Sequence, residues 1–137
     1  MDVSLVWQDG YKVGIEQIDT EHQHLISLIV RFYKAVQEGK ARQMTTELIT
    51  NLIDYTKTHF RNEEDLMKNH SYPDFEIHKN DHEKFIKEVI EATQTYMQGG
   101  VLPSNKVLSF LANWLVDHIL NHDKKMGLYL KTHHAVE

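Results

Sequence analysis

Apolar residues recur at helical spacing in four segments of this chain. In the first segment, Leu25, Ile29 and Phe32 are three or four residues apart, an interval that places side chains on one face of a helix. Strand-like alternation is not sustained in any segment, so the pattern predicts an all-α chain. The four predicted helices run from about Asp19 to Glu38, Arg42 to Lys68, Phe75 to Met97 and Ser104 to Asp123.

The connections between these segments are short, and residues that break helices are scarce. The chain has only six Gly and two Pro, so long irregular loops are not expected. Helices joined by short connections pack as antiparallel neighbours, which predicts an up-down-up-down four-helix bundle formed by residues 19–137. Asp19 or Thr20 is the predicted N-cap of the first helix.

Residues 1–18 do not follow the helical period and are expected to form an extended N-terminal arm. Trp7 and Tyr11 are the large apolar side chains that could hold this arm against the bundle. A partly mobile terminus is the alternative that the sequence leaves open. The chain is therefore interpreted as a single domain with an arm.

Composition and charge exclude several classes of partner. The 137 residues suit one domain, and 15 Lys and Arg against 20 Asp and Glu give a net charge of −5. This acidic balance argues against nucleic acid and against an anionic membrane surface. The N-terminus has no secretory signal and no segment has the roughly 20 apolar residues of a membrane span, so a cytoplasmic location is expected.

The chain contains no Cys, so any metal must be held by His and carboxylates. Ten His are present, and the predicted topology gathers several of them at one end of the bundle. This is the end where the first and third helices begin and the second and fourth end. The His at that end are His22, His59, His78, His82, His118 and His122.

Two local spacings support a metal site at this end. His59 with Glu63, and His78 with His82, are i, i+4 pairs that continue the apolar stripes of their helices. Burying such groups without partners costs about 1–3 kcal/mol each, and more for a charge. The set exceeds the four ligands of one zinc ion and suits two carboxylate-bridged ions, of iron or manganese. A densely hydrogen-bonded core without metal is the alternative.

The order of these residues resembles that of the hemerythrin family, in particular its single-domain bacterial members, over essentially the whole chain. The family pattern is His, then His-x3-Glu, His-x3-His and His-x4-Asp. It is matched by His22, by His59 with Glu63, by His78 with His82, and by His118 with Asp123. The resemblance implies two iron ions bridged by Glu63, Asp123 and an oxo or hydroxo group. One iron would be held by His78, His82 and His118, and the other by His22 and His59.

The choice between His122 and Asp123 differs with the criterion used. Asp123 lies five residues after His118, about 140° from alignment in a regular helix, whereas His122 has the i+4 spacing. Spacing alone selects His122, but the family pattern selects Asp123, whose carboxylate can bridge two ions.

Met126 stands where the family often has an aromatic residue. The His outside the pattern are expected to face solvent: His24, His70, His133 and His134.

The resemblance implies reversible dioxygen binding for transport, storage or delivery, without enzymatic turnover. The iron with two His would keep an open position for O2, and also for NO or small anions such as azide. An apolar wall would exclude water there; the predicted wall residues are Leu115, Trp114, Ile119 and Phe60. The alternatives are a module that senses O2, redox state or NO through a partner, and a weak oxidase or peroxidase.

Overall fold

Four long helical rods form the bundle in the computed structural model, which describes residues 5–40, 42–100 and 104–133. Contacts join the first rod to the second and fourth, and the third rod to the same two. The predicted all-α bundle is confirmed, and no strand occurs in the described ranges. The helices are α1 (Glu16–Gln37), α2 (Arg42–Asn69), α3 (Phe75–Met97), α4 (Ser104–His118) and α5 (Lys124–Thr132).

The core lies between the rods and is built from the apolar stripe of each helix. On α1, Ile18, Leu25, Ile29 and Phe32 are at most 2% exposed, at the spacing that predicted the helix. Burying each such side chain contributes roughly 1.5–3 kcal/mol. None of the described helices is both long enough and apolar enough to cross a bilayer.

Helix α1 begins at Glu16 rather than at the predicted Asp19. The Asp19 carboxylate does not act as an N-cap, because it accepts hydrogen bonds from the backbone N–H groups of Val13 and Gly14 in the arm. These two bonds tie the arm to the first turn of the helix. Asp19, the expected capping residue, therefore holds the arm against the helix instead of capping the helix.

The fourth rod does not end at the predicted Asp123. A π turn, Ile119–Asp123, connects α4 to α5 without a break. The Lys124 N–H bonds the Ile119 carbonyl five residues earlier, the pattern that defines a π turn. This wider turn holds one more residue than a regular helical turn.

The described part of the arm packs on the bundle. Leu5, Val13 and Ile15 are buried, and Trp7 meets Tyr11 edge to face with ring centroids 5.8 Å apart. The arm passes α5 at Gly127, where an added Cβ would lie 2.3 Å from the Val13 carbonyl oxygen. Residues 1–4 of the predicted arm lie outside the described residues.

Replacing Gly127 with Ala should destabilise the protein, because the Val13 backbone cannot withdraw as a flexible side chain could. We expect the free energy of unfolding to fall by about 1–3 kcal/mol, measured by urea denaturation. Gly10→Ala is the matched control, since no atom of the described residues lies within 4 Å of a Cβ at that position. Equal urea midpoints for the two variants would contradict the close approach.

Candidate metal centre

All seven residues of the sequence pattern meet at one end of the bundle. Each is at most 1% exposed, and they are His22, His59, Glu63, His78, His82, His118 and Asp123. The His outside the pattern lie elsewhere: His24 and His133 are exposed and His70 is half-buried. His134 lies outside the described residues.

Glu63 divides its two oxygens between two groups of imidazoles. Its Oε2 is 3.2 Å from His22 Nε2 and 2.9 Å from His59 Nε2. Its Oε1 is 3.3 Å from His78 Nε2 and 3.0 Å from His82 Nε2. The carboxylate therefore stands between a pair of His from α1 and α2 and a second pair from α3.

Asp123 divides its oxygens in the same way. Its Oδ2 is 2.9 Å from His22 Nε2, and its Oδ1 is 2.9 Å from both His78 Nε2 and His118 Nε2. Two ligand groups result, and they share both carboxylates. One group has Glu63, Asp123 and three His; the other has Glu63, Asp123 and two His.

The donor atoms fit metal ions better than they fit one another. His118 Nε2 is 3.0 Å from His82 Nε2 and 3.1 Å from His78 Nε2. Neighbouring ligands of a six-coordinate ion with bonds of about 2.1 Å would be about 3.0 Å apart. Within the described ranges, His59 Nε2 and both Asp123 oxygens are buried without a hydrogen bond of acceptable geometry. A cation between these atoms would satisfy them.

The buried carboxylates attract positive charge to the imidazoles. Burial lowers the pKa of His22, but the carboxylates of Asp123 and Glu63 beside its Nε2 outweigh burial and raise that pKa to about 9. Burial likewise opposes charge on His118, yet Asp123 raises the pKa of His118 well above its usual value. Burial raises the pKa of Glu63, but His59 and other imidazoles hold it well below the ordinary range. The pocket therefore favours protons or cations.

Three acidic residues that the sequence analysis did not single out orient three of the His. Each accepts a hydrogen bond from a ring Nδ1, which turns Nε2 toward the centre. The pairs are Glu21 with His59 at 2.7 Å, Glu64 with His82 at 2.8 Å, and Asp81 with His118 at 2.6 Å. We call Glu21, Glu64 and Asp81 the outer carboxylates.

The outer carboxylates follow a regular arrangement. Each lies on the helix before that of its His, so the bonds join α1 to α2, α2 to α3 and α3 to α4. Each also adjoins a pattern residue in sequence, beside His22, Glu63 or His82. This position next to a pattern residue is the sequence feature from which the outer carboxylates could have been predicted. His22 and His78 have no such partner among the described residues, where their Nδ1 atoms are buried without a hydrogen bond.

Two of the predicted wall residues pack flat against imidazoles. Phe60 stacks on His82 with ring centroids 3.8 Å apart and planes 4° apart. Trp114 stacks on His118 at 4.4 Å and 12°. A single hydrogen bond to an outer carboxylate still allows the imidazole ring to rotate about that bond. Stacking on Phe60 or Trp114 restricts this rotation and so sets the plane of the ring.

A small apolar cavity lies about one helical turn from the cluster. It has about 10 Å³ of free volume, and the hydroxyl of Thr56, one of its lining residues, donates to the Leu52 carbonyl. Leu115, Phe60 and Trp114 from the predicted wall line it, whereas the fully buried Ile119 does not. The other lining residues are Leu25, Ile29, Leu52, Thr56 and Phe85.

The π turn places Asp123 inward and its neighbour His122 outward. The His122 side chain is 29% exposed, and its ring stacks beside His118 at 5.1 Å. Burial and the nearby His118 lower the pKa of His122. In a five-residue turn His118 and Asp123 can face the same side, which a regular helix at this spacing does not allow.

Comparison with known proteins identifies the family. A sequence model described as the hemerythrin HHE cation binding domain matches residues 13–130. The chain belongs to the hemerythrin family. It is 36% identical to a bacteriohemerythrin of Stenotrophomonas maltophilia over 94% of this chain and 83% of the relative. It is 38% identical to a bacteriohemerythrin of Pseudomonas aeruginosa over 87% of this chain and 76% of the relative.

Solved structures of hemerythrin share the fold. A crystal structure of wild-type hemerythrin superposes with a TM-score of 0.85 at 25% identity, over 91% of this chain and 96% of that one. Membership in a cation-binding family agrees with the buried His and carboxylate cluster. Within this hemerythrin fold Met126, at the position where an aromatic residue was expected, is fully buried.

Removing an outer carboxylate should weaken metal binding by this hemerythrin-family chain. Glu21→Ala removes the acceptor of the His59 Nδ1 proton, so we expect the affinity for a divalent cation to fall about 10- to 100-fold. Competition against a chromophoric chelator measures the change. Glu16→Ala, on the exposed first turn of the same helix, is the control and should bind as the parent does.

Metal uptake should release protons. Because the pKa of His22 is raised to about 9, its imidazole is protonated at neutral pH and must lose that proton before it can bind a metal. The apparent affinity should therefore rise with pH up to about 9 and fall as the solution is acidified. An indicator dye in weak buffer measures the protons released, and uptake at neutral pH without release would contradict this assignment.

Proposed function

We propose that this chain binds dioxygen reversibly at a non-haem di-iron centre held by the seven clustered residues. The observation that carries the proposal is the unequal division of His between two groups that share Glu63 and Asp123. Three His serve one group and two serve the other. A site with this asymmetry can fill every coordination position of one ion and leave one position of the other ion open for a small ligand.

The donor set supports iron as the metal. Imidazole and carboxylate ligands suit iron or manganese, and the chain offers no thiolate. Membership in the hemerythrin family favours iron over manganese. Two ferrous ions would supply the electrons that hold dioxygen. Glu63 and Asp123 would bridge the two ions together with an oxo or hydroxo group.

The open position would belong to the ion held by His22 and His59. With both carboxylates and one bridging group, that ion would have five ligands and the other six. Dioxygen is the proposed ligand, and NO or a small anion such as azide would compete for the same place. The apolar cavity near these His would admit a small neutral molecule while disfavouring water.

The same surroundings favour binding over turnover. Phe60 and Trp114 cover the imidazoles, and Leu115 and Leu25 line the cavity. These side chains cannot give or take a proton. We therefore propose a dioxygen-binding protein rather than an oxidase.

Metal content and the visible spectrum test the proposal directly. The reduced protein should contain two irons per chain and develop a charge-transfer band in air that fades when the air is removed. Irreversible oxidation would instead indicate a redox sensor or an oxidase. Protein that folds but takes up no iron would contradict the proposed centre.

Single substitutions test the ligand assignment. His78→Ala should remove one or both irons and abolish dioxygen binding, because His78 Nε2 contacts both bridging carboxylates. His24→Ala, at an exposed position of α1, should change neither property. Equal effects of the two substitutions on iron content would overturn the assignment.

A further inference from the structure

The outer face of His118 carries a second, smaller group of metal-binding side chains. Asp81, His118 and His122 bring potential ligand atoms within 4.8 Å of one another. Asp81 Oδ2 is 2.6 Å from His118 Nδ1 and 3.8 Å from His122 Nε2. Unlike the buried centre, this group reaches the surface, since the side chains of Asp81 and His122 are 27% and 29% exposed.

The other two outer carboxylates lack this combination. Glu21 is only 13% exposed and accepts hydrogen bonds from the amides of Gln17 and Asn62. Its oxygens are therefore already engaged by donors. Glu64 lines a surface groove with cationic side chains, which would repel a metal ion; they are Lys57, Arg61 and Lys87.

Asp81 has a neighbour of the opposite kind. His122 offers an imidazole nitrogen, a good ligand for divalent transition metals. Among the described residues, the ion-pair partners of Asp81 are His118 and His122, with no Lys or Arg. An accessible carboxylate and an accessible imidazole thus face each other, with neither paired to a Lys or Arg in the part of the chain that the structure describes.

One imidazole ring separates this surface group from the buried centre. His118 Nδ1 faces Asp81, while its Nε2 lies 2.9 Å from Asp123 Oδ1. The π turn contributes to both sides, because consecutive residues point in opposite directions: His122 to the surface and Asp123 to the interior.

We propose that Asp81 and His122 form a capture site for a divalent metal ion on its way to the buried centre. The site holds the incoming ion weakly, through two side chains and water, and passes it inward past His118. No oxidation change is involved, and the protons leave from the imidazoles that the ion then binds. The inference rests on the proposed function, because it assumes that the buried centre is the destination.

The rate of cobalt uptake tests the proposal. Full-length protein freed of metal is mixed anaerobically with Co²⁺, and the absorbance of the bound ion is followed over time. The parent rate should saturate with Co²⁺ concentration, as expected when capture precedes entry. His122→Asn should load about tenfold more slowly at low Co²⁺, and His122→Asp, which restores a ligand, should recover most of the rate.

Final cobalt content separates capture from structural support. It should be equal in the parent, both His122 variants and the control His24→Asn, which changes an exposed His on α1. Equal loading rates for the parent and His122→Asn would overturn the capture site. A lower final content in His122→Asn would also overturn it, because His122 would then support the centre itself.

Failure of the proposed function would give a different result. If the buried cluster does not bind metal, the parent protein retains no cobalt after desalting, whatever the cobalt concentration used. A parent that loads fully while His122→Asn loads at the same rate refutes the capture site alone. The two proposals therefore fail in distinguishable ways.

Discussion

The rest of the site depends on the burial of two carboxylates, Glu63 and Asp123. Neither has a Lys or Arg partner among the described residues, and both lie beside imidazoles instead. A buried anion costs several kcal/mol unless positive charge or hydrogen-bond donors surround it. Five imidazoles meet that requirement, and each can present a proton or a lone pair for a metal. The negative charge of the two carboxylates must therefore be balanced either by protons on the imidazoles or by metal ions.

The second layer of the site connects the helices as well as orienting the ligands. Each outer carboxylate extends from one helix to a His on the next, so the same bonds that set ring orientation also fix helix positions. The opposite end of the bundle relies on apolar packing, as at Phe32 and Ile49. The geometry of the His and carboxylate cluster and the packing of the helices are therefore not independent at this end of the bundle.

Most of the fold and the clustering of the His and carboxylates at one end could be predicted, because both follow from helical periodicity. Stripes such as Leu25, Ile29 and Phe32 locate the helices, and the topology then gathers the His. The π turn could not be predicted, since spacing alone favours His122 over Asp123. The outer carboxylates were missed for a different reason: an acidic residue beside a ligand looks the same in sequence whether it meets solvent or a neighbouring helix. Asp19 was wrongly predicted to be an N-cap for a similar reason: its sequence position does not show that its carboxylate accepts hydrogen bonds from the backbone of the arm.

The π turn between α4 and α5 has the character of a one-residue insertion. The buried stripe of α4 includes Leu111 and Leu115, and beyond the turn the stripe resumes at Met126 and Leu130, one position later than an uninterrupted α-helix would place it. The surplus residue emerges at the surface instead of disturbing the core. The inward-facing stripe therefore continues from α4 into α5 although the turn between them holds one residue more than a regular helical turn.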